Sequence, residues 1–188
     1  MAEVISTINK SGEDYNTLTL WEDAKDGDLV STTTQHTAEV YADDGALNDR
    51  VVIDGSTTNA NYYMKITVPA EDRHAGVWSD SKSRIVPSTD GYVFTVDDHY
   101  VVIEWLQIYP RGSSAESPAI CYENGGNYQT YKNLLIDGHG SIYTAGIVLA
   151  GNHHKIYRNI LWDCKLDFWG HILTANDGLG TVITNNTV

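Results

Sequence analysis

Apolar positions along this chain repeat with a period far longer than a helical turn. The run Ile103-Glu104-Trp105-Leu106-Gln107-Ile108 recurs as Tyr131-Lys132-Asn133-Leu134-Leu135-Ile136. It recurs again as Tyr157-Arg158-Asn159-Ile160-Leu161-Trp162 and as Ile183-Thr184-Asn185-Asn186-Thr187-Val188, at spacings of 26 to 28 residues. Apolar side chains hold the first, fourth and sixth positions, apart from Asn186. A second ladder shares the period: Phe94 and Val96, Ile120 and Tyr122, Ile147 and Leu149, Ile172 and Thr174. Read backwards, Ile66 with Val68 and Val40 with Ala42 extend it. Each pair alternates as a strand with one buried face does.

A unit this short cannot bury its own apolar face, but stacked units can. The units are rich in Val, Ile, Tyr, Thr, Gly and Asn and lack sustained helical periodicity. The expected fold is therefore all-β: a right-handed parallel β-helix of about six rungs. Its expected inward stacks are Ile103, Tyr131, Tyr157 and Ile183, and Phe94, Ile120, Ile147 and Ile172. Solenoids need covered ends. Leu18, Trp21 and Ala24, with Thr19 and Glu22 as a capping box and Gly27 as a stop, predict a short amphipathic lid helix. The expected division is an N-terminal cap over residues 1–37 and rungs over 38–188. Asn133, Asn159 and Asn185 share one position in successive units, after Trp105. Asn tolerates a left-handed bend, and stacked amides can bond to one another, so the three are expected to form a structural ladder.

The segments Tyr15 to Ala24, Asp28-Leu29-Val30, Glu39-Val40-Tyr41 and Val52-Ile53-Asp54-Gly55 extend the comparison, with Tyr63-Met64-Lys65-Ile66, Arg73-His74-Ala75-Gly76 and Tyr100 to Leu106. With them the pattern resembles the parallel β-helix proteins of the pectate-lyase-like superfamily. The first half is similar to β-helix chains of phages and uncultured microbes. That likeness implies the fold; such chains include virion proteins as well as polysaccharide-active enzymes, so it leaves the activity open.

The formal net charge of −13 argues against nucleic acid and anionic membranes as partners. No run approaches the roughly 20 apolar residues of a membrane span. The start, Met1-Ala2-Glu3-Val4-Ile5, lacks the pattern of a signal peptide. Cys121 and Cys164 fall at unequal places in the repeat and read as free thiols, which suits cytoplasmic synthesis.

Candidate chemistry is sparse. Asp97 and Glu123 follow equivalent strands one rung apart, a spacing at which two carboxylates can hold a cation, share a proton or splay into water. The resemblance makes calcium the candidate ion, since pectate lyases bind it with acids on neighbouring rungs; otherwise no cofactor is expected. Asp137-Gly138-His139-Gly140 contains the Gly-His-Gly triplet of polygalacturonases, but the other motifs of that family are missing, and it reads as a turn. His153-His154 has no acidic or thiol partner at zinc spacing. Leu135 and Leu161 are expected to face outward beside Gln107 and Thr187, and Val188 ends the chain on a core position, which together predict contact with other protein subunits. The leading expectation is a non-enzymatic virion structural protein, capsid-decorating or tail-associated, working within an assembly and found in the virion or outside the cell. One alternative is a carbohydrate-active β-helix, a depolymerase or a glycan-binding module, with Trp78 and Trp169 as exposed rings for sugars. Another is an extracellular filament subunit.

Overall fold

The computed structural model describes residues 2–9, 14–43, 45–113, 116–122, 124–165, 172–175 and 179–188, with backbone alone at 173–175. Strand β1 (Ala2–Ile8) leads to helices α1 (Leu18–Lys25) and α2 (Leu29–Thr32). There follow β2 (Thr34–Val40), β3 (Val51–Ile53), β4 (Met64–Thr67), β5 (Arg84–Ile85), β6 (Phe94–Val96), β7 (Val102–Glu104), β8 (Gln107–Ile108) and β9 (Ser117–Cys121). The last are β10 (Thr130–Lys132), β11 (Leu135–Asp137), β12 (Thr144–Ala150), β13 (Lys155–Tyr157), β14 (Ile160–Trp162), β15 (Ile172–Ala175) and β16 (Val182–Thr184).

These strands stack as a parallel β-solenoid of about six turns. Each full turn contributes to three sheets, ordered β1-β2-β4-β7-β10-β13-β16, β5-β8-β11-β14 and β3-β6-β9-β12-β15. The third sheet keeps the expected stack: Val51, Phe94, Ile120, Ile147 and Ile172 are register partners. Ile66 and Val68 do not extend it. Ile66 pairs with Ile103 in the first sheet, because each turn holds three strands and Val51–Ile53 takes the place below Phe94.

One register differs from the expected one. Tyr131 pairs with Ile156 rather than Tyr157, and Ile156 pairs with Ile183. The turn from Tyr131 to Ile156 is one residue shorter than the sequence phasing implied. The slip buries the purely apolar Ile156 and leaves Tyr157 half-buried beneath the Arg158 guanidinium. A single-residue slip exchanges the two faces of a strand, so every assignment in that unit moves.

The lid helix is present, with altered details. Thr17 is its N-cap and accepts from the Leu20 amide at 3.1 Å. Asp49, from the next turn, accepts from the Leu18 amide at 2.6 Å and from the Thr19 hydroxyl at 2.7 Å. Carboxylate oxygens satisfy amides that a helix start leaves unpaired. Leu18, Trp21 and Glu22 are buried against the end of the core, while Ala24 is exposed. Strand β1 pairs along its whole length with β2, so the first sheet begins inside the segment assigned to the cap. Within the helix, burial pushes Glu22 up to about 7, opposed by the Asp54 amide and aided by the charges of Asp26, Asp54 and Asp98. Burial also raises Asp98 to about 7, against hydrogen bonds from Ser56. Cys121 and Cys164 are free and buried, and burial raises the Cys164 thiol to about 12.

The segment from Val68 to Ser83 folds back over the outer face of the second sheet. Gln107 is fully buried beneath it, accepting from the Ser79 amide at 2.7 Å and donating to the Ser79 carbonyl at 2.9 Å. Farther along, His74 Nε2 lies 2.8 Å from the Asn133 carbonyl oxygen, and Arg73 stacks over Trp105. The expectation of an exposed leucine strip is corrected here. Leu135 and Leu161 are both interior. Leu135 shares the outer row of Gln107, whereas Leu161 pairs with Ile136 in the inner row. Val188 is exposed.

Candidate functional site

Two adjoining depressions of about 610 and 430 Å³ open at the turns that leave the second sheet, the smaller one also walled by Trp78 and Asp80 of the fold-back segment. They share Tyr109 and His139, and so form one groove. Its floor follows from the register. Arg84 and Ile85 of β5 pair with Gln107 and Ile108 of β8, which pair with Leu135 and Ile136 of β11. The residues just beyond, Val86, Tyr109 and Asp137, therefore lie on successive turns roughly 4.8 Å apart. Leu47 bridges to Ile85, which adds Ala46 on a fourth turn.

Three rings line this floor. Trp78, from the fold-back segment, meets Tyr109 edge-on with centroids 6.4 Å apart. Tyr109 meets His139 at 5.2 Å and 46°. Trp78 and Tyr109 are half-buried and His139 is exposed, so the rings are anchored yet accessible. His139 takes a positive φ of 51°, and its amide donates to Asp137 Oδ1 at 2.8 Å. This local bond turns the imidazole out of the sheet. The Gly-His-Gly triplet is thus a turn, as its sequence suggested, whose ring reaches the groove.

The polar groups around the rings are already engaged with the protein. Asp90 accepts from the Ser113 amide at 3.1 Å and from its hydroxyl at 2.9 Å. Asp80 accepts from the Trp78 indole at 3.3 Å and pairs with Arg84 at 3.4 Å. Arg111 donates to the Ser88 carbonyl at 3.4 Å. Carboxylates tied in this way orient neighbours and can accept from a ligand hydroxyl. The arrangement offers apolar platforms with hydrogen-bonding rims, the composition of a binding cleft for a polar molecule with flat apolar faces.

The other sequence candidates lie elsewhere. Asp97 Oδ1 accepts from the amides of Asn124 and Gly125 at 2.8 and 3.2 Å, bracing the next turn. Its expected partner Glu123 lies outside the described residues, as does Trp169. Among the described residues no group of three or more His, Cys, Asp or Glu side chains could hold a metal. His154 is fully buried, and burial pushes its imidazole below the usual range. His153 projects outward at half exposure.

The asparagine ladder divides into two features. Asn133 and Asn185 do share a left-handed bend, at φ 53° and 55°, with Trp105 and Arg158 in the same column at 66° and 58°. Asn159 has slipped into the core position held by Leu106 and Leu134 in the turns before. Its Oδ1 accepts from the Leu134 amide at 2.9 Å, and its Nδ2 donates to Tyr131 O and Asn186 Oδ1, both at 3.0 Å. Asn186 repeats the arrangement, donating to Ile156 O at 2.9 Å. A further column was not foreseen: Asn127 and Asn152 accept from the amides of Asn152 and Leu179 at 2.7 and 2.9 Å.

The groove itself was also missed. Tyr109 and His139 are 30 residues apart, close to the 28-residue turn between β8 and β11, and phasing would have united these two. Trp78 is out of phase with them, because the turn from β5 to β8 holds 23 residues and the fold-back segment brings it in. No protein-family model matches the chain, and no curated protein or solved structure matches it either.

Proposed function

We propose that this solenoid binds an extended, uncharged polysaccharide along the Trp78–Tyr109–His139 groove without cleaving it. The observation that carries the reading is the chain of three rings, Tyr109 and His139 on successive turns and Trp78 set against Tyr109 by the fold-back segment. Pyranose rings present flat CH faces that pack on aromatic rings, and their hydroxyls need donors and acceptors at the rim. The turn spacing of about 4.8 Å is close to the length of one pyranose residue, so a glycan chain parallel to the axis advances about one sugar per turn. A net charge of −13 disfavours polyanionic chains. The engagement of Asp80, Asp90 and Asp137 with neighbouring groups supports orientation rather than proton transfer. The likeness to pectate-lyase-like and phage β-helix chains is compatible with a glycan-binding role. The expected contact with other subunits drew in part on an apolar strip at Leu135 and Leu161, and with both interior the groove carries the greater weight.

Affinity electrophoresis through gels containing neutral polysaccharides tests this. The parent protein is expected to be retarded by at least one of them, with no new reducing ends appearing on incubation. Trp78→Ala and Tyr109→Ala should each weaken retention about tenfold, the scale of one lost aromatic contact. Absence of retardation in every gel, or retention unchanged in both variants, would refute the proposal.

A further inference from the structure

A second concave surface lies on the outer face of the first sheet, away from the groove. Its wall is a column of stacked rings. Tyr100, Tyr128 and His153 occupy one corner of three successive turns, at φ 59°, 62° and 62°. Their rings are nearly parallel: Tyr100 and Tyr128 lie 4.7 Å apart at 4°, and Tyr128 and His153 4.7 Å apart at 8°. Gly180 ends the column at φ 69°, where a Cβ would press against the His153 ring. A side chain there would displace the imidazole from the stack. The floor is the outward row of β7, β10 and β13, where Thr130 pairs with Val102 and with Lys155. Tyr63 closes the far side, and the cleft encloses about 480 Å³.

The electrostatic character of this cleft is opposite to that of the whole chain. The sequence has 25 acidic residues, yet none of the described residues lining the cleft is acidic. Glu104, two residues beyond Val102 on the same outward row, is held by Lys65 at 2.9 Å and Lys132 at 2.8 Å. Those two ammonium groups over-neutralise it. The exposed Lys155 has no ion-pair partner among the described residues. The stacked rings turn their edges outward, and aromatic edges are electropositive. Among the described residues the hydroxyls of Tyr100 and Tyr128 make no hydrogen bond, so both can donate. The polar groups facing the cleft therefore favour an oxyanion, Ala60 and Val102 add apolar surface, and the volume far exceeds that of an inorganic ion.

We propose that the cleft bounded by Tyr63, the Tyr100–Tyr128–His153 column and Lys155 binds a phosphate or sulfate monoester carried on a ring. The ester oxygens meet the Lys155 ammonium and the Tyr128 and Thr130 hydroxyls, and the ring lies between Tyr63 and the column. This site is independent of the glycan groove. Titration of the full chain with phenyl phosphate and with phenyl sulfate, followed by NMR of the tyrosine and histidine ring signals, tests it, with phenol as the uncharged control. Saturable shifts of Tyr100, Tyr128 and His153 are expected with at least one ester and not with phenol. Lys155→Met should weaken binding at least about tenfold, the size of one lost charge-assisted hydrogen bond. Tyr128→Phe keeps the ring stack and should weaken it less, and Trp78→Ala should leave it unchanged. Lys155 is exposed, so its variant should melt as the parent does. No saturable shift at millimolar ester, equal affinity for phenol, or Lys155→Met binding like the parent would overturn the proposal, whatever the outcome for the groove.

Discussion

Asn159 offers the sharpest test of how this solenoid is held together. Its side chain fills a position that is leucine in the two turns before, and it is almost wholly buried. Replacing it with alanine removes the acceptor of the Leu134 amide and the donor to Tyr131 O. The Leu134 N–H is then buried without a partner, which costs about 1–3 kcal/mol, and the loss at the Tyr131 carbonyl adds roughly another 1 kcal/mol. Asn186 Oδ1 is spared, because it also accepts from the Asn159 amide at 3.0 Å. The expected cost is about 2–4 kcal/mol, or roughly 5–12 °C in melting temperature for a chain of this size. Asn159→Leu separates the causes. It restores the shape of the neighbouring turns but leaves the Leu134 amide unmet, so it should recover only part of the loss. Asn133 is the control. Its side chain makes no hydrogen bond among the described residues, and its φ of 53° is what its position needs. Asn133→Gly should be near neutral, and Asn133→Ala should cost about 1 kcal/mol from left-handed strain. Thermal and urea melts, with hydrogen exchange at the Leu134 amide, read all four variants. An Asn159→Ala protein within about 0.5 kcal/mol of the parent and still protected at Leu134 would refute the reasoning.

Gln107→Ala should release the fold-back segment at Ser79, seen as faster proteolysis between residues 70 and 82 and a cost of about 1–3 kcal/mol; unchanged proteolysis would contradict the latch. Glu22 and Asp98 give a pH dependence of defined sign: each has a folded pKa raised to about 7, so its stabilising contribution is complete below the ordinary carboxylate range and is lost as pH rises through 7. The protein should be less stable at pH 8 than at pH 5 by an amount on the order of 2 kcal/mol for each group. Glu22→Gln and Asp98→Asn should each raise the pH 8 stability and flatten the profile, and a profile unchanged in both would exclude the two carboxyls as its source.

The architecture was legible because it depends on a quantity that survives small errors. A solenoid only requires that apolar residues return each turn, and the ladder from Phe94 to Ile172 does so in the expected register. The register at Ile156 was not legible. Tyr157 and Ile156 both suit an inward position by hydropathy, and the choice rests on which neighbour fills the next core place. Asn159 fills it because it brings its own hydrogen-bond partners, a condition set by the backbone of the turns on either side and invisible in a hydropathy pattern. The error over Leu135 has a related origin. Strand alternation placed it outward correctly, but outward is not the same as exposed once Gln107 binds Ser79 and draws the fold-back segment across the sheet. That same segment delivers Trp78 to Tyr109. The covering of the leucine and the building of the groove are therefore consequences of one latch. Because Trp78 lies only one residue before Ser79 in the latched segment, its placement is coupled to Gln107, a residue that does not itself line the groove. Loosening that contact should degrade the ring platform as well as stability, which ties the proposed binding site to the packing of the second sheet.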